Sequence, residues 1–398
     1  EGQVAGVWST SALELGVDVG GLDAVLLDGY PGTRMSTFQR AGRAGRGSDP
    51  ALVALVAGED QLDQYLMTQP DALFDGDPER ATVDPENDHL LPDHVAAAAT
   101  ENWLSMADES HFGEGFPEVV ADLEAAGRLE RRETEDGVRW THAGDRSPQQ
   151  GTNLRSAGDR EVDLLADGDV IATLGLDDAL RDAHPGAIYH HQGRSYEVTE
   201  LDLDRDVATL QSTWADYYTR VLTEKSVAVE RDRESTALSA RPETAVHLAD
   251  VTVTERVTGF ERRDASRGET LGRETLDLPE TTLRTTALYF TVPADVEAEM
   301  RALGDFLGGI HAAEHGLISL FPLHLLCDRA DVGGLSTPHH PHTGASTVFV
   351  YDGHPGGVGL ACAGGCPACV QSPHCGNAND PLAPEPAVHL LSALSETD

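Results

Sequence analysis

Arginine recurs at every third position of the run Gln39 to Gly47, QRAGRAGRG, as Arg40, Arg43 and Arg46, with glycines between them. A short apolar segment (Ala24 to Leu27) and a Gly16-Val17-Asp18-Val19-Gly20 turn precede the run. A guanidinium never loses its charge, and its planar fork pairs bidentately with phosphate oxygens, so arginines at fixed spacing near a turn suit phosphate recognition. The rival reading is a solvated basic helix face.

The order and separation of these two pieces, with the repeated Arg-x-Gly-Arg pattern, resemble motifs V and VI of a superfamily 2 helicase. In such helicases the second RecA-like domain presents these arginines across a cleft to nucleotide held by the first. The resemblance implies that Arg43 and Arg46 reach the γ-phosphate, where such residues stabilise transition-state charge. Gln39 and Arg40 would belong to the same nucleotide site, Gly16 and Asp18 would lie near the ribose, and Thr10 and Ser11 near the nucleic-acid backbone.

A complete motor also needs a Walker A lysine and a magnesium-binding acidic motif. The chain has a single lysine, Lys225, which follows Thr223 and Glu224 rather than a glycine-rich loop. Asp108-Glu109-Ser110-His111 spells a DExH box, but it follows motif VI, and no buried β-branched strand precedes it. With Glu1 in the first position, the expectation is the C-terminal part of a longer helicase, without ATPase activity of its own.

A length of 398 residues predicts two or three domains. The net charge of −40 at 40% apolar content resembles the proteins of extreme halophiles, in which salt screens the self-repulsion of an acidic surface. Screening also means that local arginines, more than net charge, decide whether nucleic acid binds. No signal peptide or membrane-length apolar run is present, so a cytoplasmic protein is expected.

Four units are expected along the chain. Residues 1–80 read as the C-terminal half of a RecA-like domain 2, with Ala51 to Ala57 as its last buried strand. Residues 81–145 carry helices followed by an Asp136-Gly137 hairpin, which suggests a winged-helix-like module with Arg131, Arg132 and Arg139 as possible DNA contacts. Residues 146–292 alternate apolar and polar positions and read as a β-rich accessory region. His184-Pro185-Gly186 and the tyrosines Tyr189 and Tyr196 within it resemble helicases related to bacterial mitomycin-repair factors. Those tyrosines suit base stacking or, more commonly, a core. Residues 293–398 read as a helical and zinc-binding C-terminal domain.

Four of the five cysteines crowd into Cys362-x3-Cys366-x2-Cys369-x5-Cys375, where glycine and Pro367 allow sulfurs to converge. Four thiolates close a tetrahedral shell around Zn²⁺, which makes the site structural, since no position stays open for substrate. A redox pair is the alternative for the CxxC. Cys327 to Gly334, Tyr351 to Gly359 and the cysteines together resemble the C-terminal zinc-binding domain of the mitomycin-repair helicases, leaving Cys327 as a buried thiol. A second string, His311-Ala312-Ala313-Glu314-His315, places two histidines on one helix face in the order used by inverzincin peptidases. His339, His340 and His342 read as a solvated loop.

The expected fold is therefore multidomain α/β plus α+β. The resemblance implies a 3′ to 5′ DNA helicase acting in DNA repair, with structural Zn²⁺, with ATP and Mg²⁺ in the complete motor, and with single-stranded or forked DNA and the missing N-terminal RecA-like domain as partners. The alternatives are a non-motor zinc-binding nucleic-acid-binding protein derived from a helicase, and a metallopeptidase built on Glu314.

Overall fold

The computed structural model describes residues 6–14, 22–45, 50–58, 61–79, 81, 87, 89–144, 147–151, 160–238, 240–323, 325–354 and 384–395. Strands β1 (Ala24–Asp28) and β2 (Leu52–Val56) pair in parallel, Ala24 opposite Leu52 and Asp28 opposite Val56. Parallel strands require a crossover, and α1 (Arg34–Ala41) lies within it. Gly32, at φ +96°, sits in the turn into α1, a conformation that costs glycine nothing. Thr33 then caps the helix by accepting from Ser36 N at 3.0 Å.

Buried Glu79 supplies a second cap, accepting from the backbone N–H groups of Arg34 and Met35 at the positive end of the helix dipole. Helices α2 (Gln61–Thr68) and α3 (Asp71–Phe74) follow. From α2, buried Asp63 accepts from Tyr30 N at 2.7 Å and Gly58 N at 2.6 Å, tying together the chain beyond β1 and beyond β2. The run 51–57 forms a strand, as its apolar character predicts, but not a buried one. Leu26, Leu52, Val53 and Val56 are all exposed. An apolar parallel pair is ordinarily covered on both faces by helices.

The next unit packs α4 (Leu91–Glu101), α5 (Glu109–Phe112) and α6 (Phe116–Ala125) against the hairpin β3 (Leu129–Thr134) and β4 (Gly137–His142). Val95, Ala96, Phe116, Val120, Leu123 and Trp140 form its core, and a bridge between Leu104 and Trp140 adds a short third strand. Trp140 buries its ring and keeps its N–H satisfied by Glu124 Oε2 at 2.8 Å. This is the arrangement of a winged helix, with β3 and β4 as the wing. A single turn of helix, α7 (Pro148–Gly151), follows.

Five strands make the third unit: β5 (Glu161–Ala166), β6 (Asp169–Gly175), then, after α8 (Leu176–Asp182), β7 (Ile188–His191), β8 (Arg194–Asp202) and β9 (Val207–Thr213). Their order is β6-β5-β9-β8-β7, antiparallel except for β5 with β9. Asp167-Gly168 and Gln192-Gly193 take positive φ at both central positions, the geometry that matches the twist of a two-residue hairpin. Tyr196 is buried in this core and Tyr189 packs against it.

A second sheet runs β10 (Tyr217–Ala237), β11 (Ala245–Asp264), β13 (Glu280–Thr291), β15 (Thr347–Asp352), β14 (Val332–Thr337), with β12 (Thr270–Thr275) beside β11. Three register shifts interrupt the long β10–β11 pair, and such bulges bend and twist a strand. Helices α9 (Ala294–Leu303), α10 (Phe306–Leu320) and α11 (Pro384–Ser395) contribute Val296, Met300, Ile310 and Leu390 to a core shared with Phe290 and Val348.

This sheet spans the expected division at residue 292, because β13 from one side pairs with β15 from the other. The expected β-rich region also separates into two sheets, at 161–213 and 217–291. Alternation along a strand shows which face is buried but not which distant strand lies beside it.

Candidate functional site

The short turn Ser11–Leu13 ends at Glu14, whose N–H donates to Ser11 O at 2.9 Å. Glu14 is the hub of the first site. Its carboxylate accepts from Arg40 Nε at 2.7 Å and from Ser36 Oγ at 2.7 Å, and its carbonyl accepts from Arg43 Nη2 at 2.7 Å. Burial alone would raise the Glu14 carboxyl, but the Ser36 and Arg40 hydrogen bonds and the Arg40 charge outweigh it and hold the group below the ordinary carboxylate range. Arg43 Nε also reaches Gln39 O at 3.3 Å, so its guanidinium is held at the C-terminal end of α1.

Thr10 and Ser11 are exposed at the start of this assembly. The structure thus brings Thr10, Ser11, Gln39, Arg40 and Arg43 into one neighbourhood through Glu14. Gly16, Asp18 and Arg46 lie outside the described residues. The Asp328 carboxyl lies in the field of both Glu14 and Arg40. Burial first, then the negative charges of Asp331 and Glu14, raise it against the opposing pull of Arg40. The segments carrying Glu14 and Arg40 are therefore within electrostatic reach of the one that leads into the C-terminal sheet.

Cys362, Cys366, Cys369 and Cys375 all lie outside the described residues, between the end of β15 and the start of α11. Cys327 is described: it is buried, and its thiol is pushed up to about 12 by burial and by Asp331, Asp328 and Asp352. A thiol so reluctant to ionise is a poor metal ligand.

His311, Glu314 and His315 lie on α10, with Glu314 and His315 buried and the two imidazole rings edge to face at 4.4 Å. Gly334 of β14 packs directly on Glu314, where a Cβ would come within 2.6 Å of Oε1. Among the described residues no group of three His, Cys, Asp or Glu side chains is placed to hold a metal. The helical spacing that suggested a peptidase serves here to pack α10 against the sheet. Asp108 of the DExH-like string is likewise structural, accepting from Ser105 N at 2.7 Å in a capping box.

The expectation of a solvated loop at His339, His340 and His342 is corrected at His340. That ring is buried, lies 4.7 Å from the Phe349 ring, and has Nε2 2.9 Å from Val227 O. Lys225, the one lysine, is no phosphate ligand either: it sits within β10, 3.2 Å from Glu255 Oε2. On the wing, Arg131 and Arg132 pair with neighbouring Glu133 and Glu130. Nothing in the sequence marks Glu14, Asp63 or Glu79, because their partners lie up to 45 positions away and a lone carboxylate has no spacing signature.

Residues 313–362 match the family model of the MrfA Zn-binding domain, and residues 83–157 match that of the winged helix domain of ATP-dependent helicase HRQ1. The chain is 33% identical over 399 residues to the uncharacterized ATP-dependent helicase YprA of Bacillus subtilis (strain 168), covering 93% of this chain and 52% of YprA. It is 26% identical over 346 residues to ATP-dependent helicase hrq1 of Schizosaccharomyces pombe, covering 83% of this chain and 31% of hrq1. The crystal structure of the DUF1998 helicase MrfA bound to DNA superposes with a TM-score of 0.59 at 30% identity, over 97% of this chain and 53% of MrfA.

The winged helix, the zinc-domain match and the MrfA-like fold together define the C-terminal region of a helicase. Within that class, the chain is similar to the helicases MrfA, YprA and Hrq1. It spans about half the length of YprA and MrfA and less of Hrq1. No helix among the described residues is long and apolar enough to cross a membrane.

Proposed function

We propose that this chain is the C-terminal half of an ATP-dependent, 3′ to 5′ DNA helicase acting in DNA repair, and that Arg43 and Arg46 are its γ-phosphate sensors. The observation that carries the reading is the Glu14 hub, which joins the two motif-bearing segments through Arg40 and Arg43. ATP with Mg²⁺ would supply the free energy for strand movement from a facing RecA-like domain that carries the Walker A lysine and the DExH acid. Gln39 and Arg40 would support the same nucleotide, Gly16 and Asp18 would approach its ribose, and Thr10 and Ser11 would face the DNA backbone.

Glu14 positions both arginines from one residue, so motion of motif V on DNA would be felt by the arginines of motif VI. Further support comes from the exposed Leu26, Leu52, Val53 and Val56, apolar faces suited to the helices that cover a RecA-like sheet. Cys362, Cys366, Cys369 and Cys375 would hold a structural zinc that orders the connection between β15 and α11. Such a site contributes folding energy and offers no open coordination position.

ATP hydrolysis in the presence of single-stranded DNA tests the assignment. In the assembled two-domain motor, Arg43→Ala should lower turnover by roughly a thousandfold, the scale of arginines that stabilise phosphoryl transfer. The 398 residues alone should show none. An unchanged rate in the variant, or DNA-stimulated turnover by the isolated chain, overturns the motor reading.

A further inference from the structure

One corner of the six-stranded sheet departs from the acidity of the rest. Tyr218 and Arg220 on β10 are opposite Arg263 and Glu261 on β11, and Arg273 on β12 is also opposite Glu261. Side chains opposite one another share a face, and so do alternate residues along a strand. Tyr218, Arg220, Glu261, Arg263 and Arg273 therefore occupy one face. The other face of the same corner carries Phe260, which is buried against the His184 ring at 4.6 Å, and Thr219, whose Oγ1 accepts from Ile188 N at 2.9 Å. That face is spent on holding the two sheets together.

Two arginines thus pair with one carboxylate and a third, Arg220, stands opposite it in register, in a chain whose net charge is −40. Glu261 is only 1% exposed, while Arg263 Nη2 sits 2.9 Å from Oε2 and Arg273 Nη2 sits 2.6 Å from Oε1. Burial would raise the Glu261 carboxyl, but the hydrogen bonds from Arg263 and Arg273 hold it low, so it stays charged and keeps both forks in place. The Arg273 side chain remains 70% exposed. Tyr218 hydrogen-bonds Arg263 and keeps part of its ring in solvent.

Aromatic surface lies beside these forks. Trp214 is fully exposed in the connection from β9 to β10, and that connection is fastened to the end of β11 where Ala265 N donates to Asp216 O at 2.9 Å. Guanidinium groups fixed on Glu261 through Nε and Nη2, next to exposed aromatic rings, supply the two parts of a single-strand binding surface: their outward N–H groups meet phosphates, and the rings stack on bases of any sequence.

We propose that Trp214, Tyr218, Arg220, Arg263 and Arg273 form a binding surface for single-stranded nucleic acid, separate from the motif V residues Thr10 and Ser11. The proposal rests on the DNA-motor reading above but is tested apart from it, by binding without nucleotide. The full chain in potassium chloride is titrated into a short fluorescein-labelled oligothymidylate, followed by anisotropy at several salt concentrations. Trp214→Ala, whose side chain supports no packing, should weaken binding roughly tenfold, within the range of a lost base stack. Arg273→Ala should also weaken it and reduce the slope of log Kd against log salt by about 1.

Both variants binding as tightly as the unaltered chain overturns the proposal. So does an Arg273→Ala defect with an unchanged salt slope, which a merely structural arginine would give, or an unaltered chain that fails to bind. Displacement by polyglutamate as effective as by unlabelled oligothymidylate would mean capture of acidic protein segments, and also overturns it. Loss of the Arg43 effect on ATP turnover would remove the motor reading and leave this binding result standing.

Discussion

Asp331 Oδ1 lies 3.1 Å from His354 Nε2, and Asp352 Oδ1 accepts from the main-chain N–H of His354 at 3.1 Å, so at the end of β15 one acid holds the imidazole and a second holds its backbone. The hydrogen bond that the His354 ring donates to Asp331 raises His354 above its ordinary value against the opposing effect of burial, and the same bond lowers Asp331. A raised histidine stabilises the fold fully below its unfolded pKa, about 6.5, and that contribution is lost as pH rises through the higher folded value. The lowered Asp331 stabilises above about 3.9 and loses its contribution as pH falls through its folded value. The pair is therefore strongest between roughly pH 4 and 6.5. Thermal midpoints in molar salt should fall between pH 6 and 8 for the unaltered chain and fall less for His354→Gln. Equal losses in both would show that the pair does not couple to folding. The histidine was visible in the sequence within a Gly-His-Pro-Gly-Gly string, but its acid partner, 23 residues earlier, was not.

Helix α10 shows how element packing can imitate a catalytic motif. Its His311 and Glu314-His315 spacing follows from the helical repeat, and the sheet strand beneath it has glycine where Glu314 and Ile318 press closest. A Cβ at Gly334 would come within 2.6 Å of Glu314 Oε1 and 2.8 Å of Ile318 Cδ1. Gly334→Ala should therefore destabilise the C-terminal sheet by about 1–3 kcal/mol, the usual cost of overpacking a core. Chemical denaturation reads this directly, and an unchanged midpoint would mean that α10 sits less tightly on β14 than the contact implies. The periodicity of this segment predicted a helix correctly. Periodicity alone does not say whether a buried polar side chain faces a ligand or a neighbouring strand.

At the scale of the whole molecule, charge sets the conditions under which all of this holds. At a net charge of −40, repulsion among acidic groups acts against the compact state, and screening shortens its reach from about 10 Å at 0.1 M salt to about 3 Å at 1 M. The midpoint of thermal unfolding should rise by several degrees, at the least, as potassium chloride is raised between these concentrations. A flat response would show that the arginine ion pairs already compensate the acidity. The arginine run, the winged-helix pattern, the cysteine spacing and the alternating strands were set out in local sequence, because capping, hydrophobic period and ligand spacing act over a few residues. Only the tertiary structure decided that β13 pairs with β15 across the expected boundary at residue 292, that Glu14 gathers Ser36, Arg40 and Arg43, and that the Arg263 and Arg273 forks share Glu261. Those choices join positions far apart in the chain, and they depend on which surfaces are buried together, a quantity that no single segment carries.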